Sequence, residues 1–116
     1  MNNLPPQTEI ELSAEFSQIL LDAIDEGFKI LGEGVSDVVY YYLKEDYGLD
    51  RSNITKKHET FTKGLENLFG VGAAIIEREI LKKLYAKLGL KYEEDSNKTY
   101  TEHIKLVYKI YRRKSK

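Results

Sequence analysis

Three times along this chain a large apolar residue is followed by glycine and then by another apolar residue: Tyr47-Gly48-Leu49, Phe69-Gly70-Val71 and Leu88-Gly89-Leu90. Glycine enters the left-handed backbone region without steric cost, so it ends helices, and an apolar residue after it folds back onto the last turn. Stops at this spacing cut the chain into helices of a few turns each. Segments that short bury their apolar stripes only by packing together.

Between the stops the apolar residues recur with helical period. A first helix is predicted from the N-cap Ser13, with Phe16, Ile19, Leu20, Ala23, Gly27 and Leu31 on one stripe and Leu21, Ile24 and Phe28 widening it. Gly32 and Gly34 bracket a break. A second helix runs from about Val35 to Tyr47, its stripe made by Val35, Val38, Val39, Tyr42 and Leu43. A polar loop carries Ile54 as a plug. A third helix covers about Lys57 to Phe69 with Phe61, Leu65, Leu68 and Phe69 inward, although Gly64 inside it costs about 1 kcal/mol against alanine. The fourth runs from about Gly72 to Leu88, with Glu79 placed to pair with Lys83.

After the acidic link Glu93-Glu94-Asp95, Thr99 and Glu102 have capping-box spacing and open a last helix from Tyr100 to about Lys114. Its alternation at Ile104, Leu106, Tyr108 and Ile110 also fits a strand, the minor alternative. The expected fold is therefore all-α: a compact bundle of four core helices over residues 13–90, plus a C-terminal basic amphipathic helix at about 100–114. Residues 1–12, with Pro5 and Pro6, read as a tail, with a short extended stretch at Ile10 and Leu12.

With 116 residues, 41% of them apolar, the chain suits one domain with a modest core. It has no cysteine, which excludes disulfides and thiolate chemistry. No apolar run reaches the ~20 residues of a membrane helix, and residues 1–6 lack the features of a secretory signal. No membrane partner and a cytoplasmic location are the expectations. The net charge of −1 conceals a division: residues 1–50 carry two Lys/Arg against eleven acids, and residues 51–116 carry sixteen against eight. Either the halves attract one another within the fold or a basic end faces an acidic partner, and the first is favoured.

No constellation of an enzyme emerges. His58 and His103 sit in no metal-binding spacing and are expected at the surface. Asp22, Asp25, Glu26, Glu33 and Asp37 lack the loop pattern that converges oxygens on a cation. The glycines form no phosphate cradle. The expectation is no catalytic residue, no cofactor and no metal.

Two surfaces remain. Tyr40, Tyr41 and Tyr42 are consecutive, so a helix spreads them around its circumference. Tyr42 joins the stripe, leaving Tyr40 and Tyr41 to face other elements or a partner. From residue 105 onward Lys105, Lys109, Arg112, Arg113, Lys114 and Lys116 stand without a single acid, interleaved with Tyr108 and Tyr111. That is the composition of a polyanion contact, with phosphates met by the bases and unpaired bases by the rings.

Three stretches carry a family resemblance: Leu21 to Gly27 leading into Leu31-Gly32-Glu33; Tyr41-Tyr42-Leu43 followed by Gly48-Leu49; and Leu68 to Ala73 running on to Lys83-Leu84-Tyr85 and Lys87 to Leu90. Over residues 19–90 the chain resembles a small helical domain of archaea, the Nitrosopumilus-type output domain of the fifth type, which occurs alone or attached to two-component receiver domains. The resemblance implies a helical fold and a regulatory role downstream of a signal, by binding to a protein partner or to a second copy. It brings no catalytic residues onto this sequence. The alternative is a small transcription-associated protein that binds DNA or RNA through its basic C-terminal helix.

Overall fold

The computed structural model describes residues 11–114. The expected tail up to residue 10, including Ile10, and Lys116 lie outside the described residues. Five α-helices follow in order: α1 Ala14–Phe28, α2 Val35–Tyr47, α3 His58–Phe69, α4 Ala73–Lys87 and α5 Tyr100–Lys114. Short 3-10 turns, Lys29–Leu31 and Gly70–Gly72, extend α1 and join α3 to α4. No strand occurs among the described residues, so the alternation in the last segment belongs to a helix.

The ends are fixed by local chemistry. Ser13 Oγ accepts from the Phe16 N–H at 3.2 Å and starts α1. Thr99 and Glu102 form a reciprocal capping box: Thr99 Oγ1 accepts from the Glu102 N–H at 3.1 Å, and Glu102 accepts from the Thr99 N–H at 2.9 Å. Gly48, at φ 66, closes α2 by donating to the Lys44 carbonyl, and Leu49 folds back into the core. Gly89 closes α4 in the same spirit, with Leu90 donating to the Tyr85 carbonyl at 2.9 Å.

The third stop behaves differently. Gly70 has φ 60 with ψ −132, outside the left-handed helical well, and leads straight into the Gly70–Gly72 turn and α4. With no loop to fold back through, Val71 is 97% exposed instead of covering the last turn of α3.

One contiguous core gathers Phe16, Leu20, Ile24 and Phe28 of α1, Val39 and Leu43 of α2, Phe61 and Leu65 of α3, Ile80 and Leu84 of α4, and Ile104 and Val107 of α5. Ile54 plugs it from the loop, as its lone apolar character suggests. Leu12, just before α1, also packs against it. α5 is a wall of this core and not an addition to it: Tyr100, His103, Ile104 and Val107 are buried, and the Tyr108 ring lies 4.8 Å from that of Phe16. Val38, expected inward, is 64% exposed, because Val39 and Leu43 suffice for the one face α2 buries. Glu79 pairs with Lys82 at 3.5 Å, one residue short of the expected Lys83.

Two glycines allow close helix approach. A Cβ on Gly27 would stand 2.5 Å from Ile80 Cγ1 and 3.1 Å from the Ile80 backbone, so α1 and α4 touch here through backbone. A Cβ on Gly64 would meet Leu43 Cδ2 at 2.6 Å, the movable end of a side chain. Gly27→Ala is therefore expected to destabilise by about 1–3 kcal/mol, because the helices must separate. Gly64→Ala should cost less, since Leu43 can rotate and alanine regains about 1 kcal/mol of helix propensity. Urea-unfolding midpoints of the two variants check the order. A larger loss for Gly64→Ala would contradict the backbone contact.

Candidate functional site

The outer face of α5 presents Lys105, Lys109, Arg112, Arg113 and Lys114, all exposed. Lys105, Tyr108, Lys109, Arg112 and Arg113 line one hollow on this face. None of these cations takes part in an ion pair among the described residues. The acidic and basic halves do meet elsewhere, through Asp25 with Arg51 at 2.9 Å and Glu26 with Lys87. Internal attraction thus accounts for part of the charge division and leaves the α5 row unneutralised.

The tyrosines of α5 do not share that freedom. The Tyr108 and Tyr111 rings pack against Phe16, at 4.8 and 5.2 Å between centroids. Tyr108 Oη accepts from the Ser13 N–H at 3.0 Å, and the Tyr111 hydroxyl donates to Glu15. The outward side of Tyr108 is overlain by the Arg112 guanidinium at 5.7 Å. Their rings serve α1 and are not open stacking platforms, which corrects the expectation of bases stacked between them.

The tyrosine pair of α2 divides likewise. Tyr41 is 68% exposed, three residues from exposed Val38, so the two share a helix face that the core does not use. Tyr40 faces inward. Its hydroxyl donates to Asp25, its ring lies 5.1 Å from that of Phe28, and the Arg51 guanidinium stands 5.5 Å over it. Burial and the neighbouring Asp25 carboxylate push the Tyr40 phenol well above its ordinary range. Burial alone would raise Asp25, but the Arg51 and Tyr40 hydrogen bonds outweigh it and hold the carboxyl low. Tyr40 is a structural anchor between α1, α2 and the loop, and only Tyr41 remains as partner surface.

Both histidines are buried, contrary to the surface expectation. His103 Nδ1 bonds the Tyr85 hydroxyl at 2.8 Å, with Tyr92 nearby at 5.7 Å between ring centroids. His58, at the first position of α3, is 0% exposed, and neither ring nitrogen has a hydrogen-bond partner among the described residues. Burial, with Lys105 adding to it, lowers its pKa to about 4. A sequence signal existed for each. His58 precedes Phe61 by three and Leu65 by seven, and His103 falls on the Tyr100, Ile104, Val107 row.

Of the acids weighed as a cation site, Asp22 accepts from Gln18 at 2.9 Å, while Asp25 and Glu26 are ion-paired. No group of three or more His, Asp or Glu that could hold a metal ion occurs among the described residues. Among the described residues no helix is long and apolar enough to cross a membrane. Compared with family models, with curated proteins and with solved structures, the chain matches none of them.

Proposed function

We propose that this protein is a non-enzymatic regulatory or signal-output module that acts through protein contacts, self-associating among them. The observation that carries the reading is the Val38–Tyr41 face of α2, apolar and exposed where the core makes no use of it. It is flanked on α2 by the exposed acids Asp37 and Glu45 and by one exposed base, Lys44, none of them ion-paired among the described residues. The α5 face supplies the opposite charge, so a second copy offers a complementary occupant: acids and an apolar centre from α2 against the cations of α5. The sequence resemblance of residues 19–90 to the archaeal output domain points the same way, toward binding downstream of a signal, and the reading sets the protein in the cytoplasm.

Sedimentation equilibrium tests it. The protein is expected to associate at high micromolar concentration, less so as salt rises. Val38→Ser with Tyr41→Ser should abolish the association while leaving the unfolding midpoint unchanged. A monomer throughout would remove the self-association from the reading.

The unneutralised α5 row favours a second reading, contact with a nucleic-acid backbone. With Tyr108 and Tyr111 held against Phe16, that contact would rest on charge alone and be insensitive to sequence. Fluorescence polarisation with a single-stranded oligonucleotide should then show affinity that falls steeply with salt and vanishes for Lys109→Glu with Arg112→Glu. No binding at low salt would dispose of it.

A further inference from the structure

The connection between α4 and α5 packs Tyr92 against the ring of His103, and two adjoining hollows share that histidine. The larger measures about 510 Å3, and its walls include Arg78 and Leu81 of α4, Tyr92, Asp95 and Lys98 of the connection, and His103 of α5. Asp95, Lys98 and His103 also line the smaller one. Neither hollow includes a residue of the Val38–Tyr41 face or of the cationic α5 row, so the function proposed above does not use them.

His103 is 4% exposed, and its two nitrogens differ in what they meet. Nδ1 is bonded to the Tyr85 hydroxyl at 2.8 Å. Tyr85 is itself buried, and that hydroxyl has no other partner among the described residues. Its O–H therefore donates to Nδ1, which places the imidazole proton on Nε2. Burial and then Lys98 lower the His103 pKa, so the ring is neutral at pH 7. Nε2–H has no acceptor among the described residues and, unlike either nitrogen of His58, is not sealed beneath the surface. A buried ring thus keeps one open donor at the hollows it lines.

The charges around that donor are already matched in pairs. Glu94 accepts from Arg78 at 2.8 Å, while Asp95 accepts from Lys98 at 3.3 Å and from the Asn97 N–H at 2.9 Å. Arg78 and Lys98 each spend one N–H in this way and keep others, with both side chains 37% exposed. Glu77 is the remaining acid of the larger hollow. Burial and then Glu66 raise its carboxyl to about 7, so part of the population holds a proton there at neutral pH. Engaged carboxylates and unspent N–H groups leave donors in surplus, beside an apolar wall of Ala74, Leu81 and the Tyr92 ring.

We propose that this site binds the carboxylate of a small organic acid, received by His103 Nε2–H and the Lys98 ammonium, with Arg78 beside them and the ligand's apolar body against Leu81 and Tyr92. Hydrogen bonds from such donors to a carboxylate are charge-assisted and strong. A hollow of this size, part apolar with a few polar groups, is of the kind that takes small ligands. Phosphate suits it less, because its second negative charge would lie near Glu94 and Asp95 and it has no apolar body. The carboxylate can belong to a free acid or to the C-terminus of a peptide, and the chemistry recognised is the same.

NMR titrations of the imidazole and amide signals at low salt test the assignment. The probes are benzoate, a short acetylated apolar peptide with a free C-terminus, the amide of each, and inorganic phosphate. Both carboxylates should give saturable shifts at the His103 ring and around Tyr92 and Lys98, and the amides none. The sealed His58 ring should not move. His103→Asn keeps an acceptor for Tyr85 but withdraws the outward N–H, and should weaken binding by about tenfold or more. His103→Gln returns an N–H near that position and should recover part of the loss. Lys98→Gln, at a partly exposed side chain, should weaken binding by a similar factor and carries the test if a His103 variant fails to fold. Saturation by benzoate alone assigns a free acid, and by the peptide alone a C-terminus. Absence of saturable shifts up to about 10 mM of every carboxylate, equal binding of the amides, tighter binding of phosphate, or unchanged affinity for Lys98→Gln overturns the site.

Discussion

Phe16→Ala is expected to be the most damaging single truncation, lowering stability by about 3–5 kcal/mol. Phe16 is fully buried and its ring is the surface on which Tyr108 and Tyr111 of α5 rest. Removing it leaves a cavity where α1 meets α5 and withdraws two ring contacts worth roughly 0.5–1.5 kcal/mol each beyond burial. The loss should appear as early amide exchange in α5 as well as in α1, because α5 is anchored by this residue. Unfolding of α1 with α5 unaffected would mean that the last helix is an independent appendage.

The second large effect is a concealed dependence on pH. His58 is buried neutral, with its pKa lowered to about 4 by burial and then by Lys105, against 6.5 in the unfolded chain. As pH falls below about 6.5 the unfolded chain takes a proton that the folded one refuses. Stability present above 6.5 is therefore lost toward pH 4, by about 3 kcal/mol in full. Glu77 acts in the opposite sense. Burial and then Glu66 raise its carboxyl from 4.5 to about 7, so the fold holds that proton more tightly than the unfolded chain does. Its contribution is fully present below 4.5 and is lost as pH rises to 7, reduced in size by the solvent that reaches it.

Between about pH 4.5 and 6.5 the two effects oppose each other, and the wild-type profile should be shallow there. Glu77→Gln is expected to unmask His58 and make urea midpoints fall steeply with acid. His58→Leu should reverse the slope. Parallel profiles for wild type and Glu77→Gln would refute this opposition.

The parts of the fold that were legible in the sequence are those set by local chemistry. Gly34 and Gly48 bound α2 at the expected residues, and the Thr99–Glu102 capping box opens α5 where its spacing places it. Contacts between distant segments were not legible. That Tyr40 turns inward follows from Asp25 and Arg51, which lie 15 and 11 residues away in sequence and meet only in the folded chain. The exposure of Val71 likewise depends on how tightly α3 is joined to α4. The histidines are a different case: their positions fall on apolar rows, and burial follows the periodicity of the row and not the polarity of the residue. Of the candidate surfaces, the α5 cations stand exposed as the sequence suggested, and Tyr41 does also.

The central functional claim is that two different faces of one molecule, the acid-flanked Val38–Tyr41 face and the cationic α5 face, recognise each other between copies. Sedimentation of two variants, alone and mixed, addresses it directly. Val38→Ser with Tyr41→Ser lacks one face, and Lys109→Glu with Arg112→Glu lacks the other. Each alone should be monomeric, and the equimolar mixture should recover a dimer, because a pair of unlike variants joins the intact α2 face of one to the intact α5 face of the other, whereas a like pair joins none. A mixture that stays monomeric, or variants that associate as well as the wild type, would contradict the account.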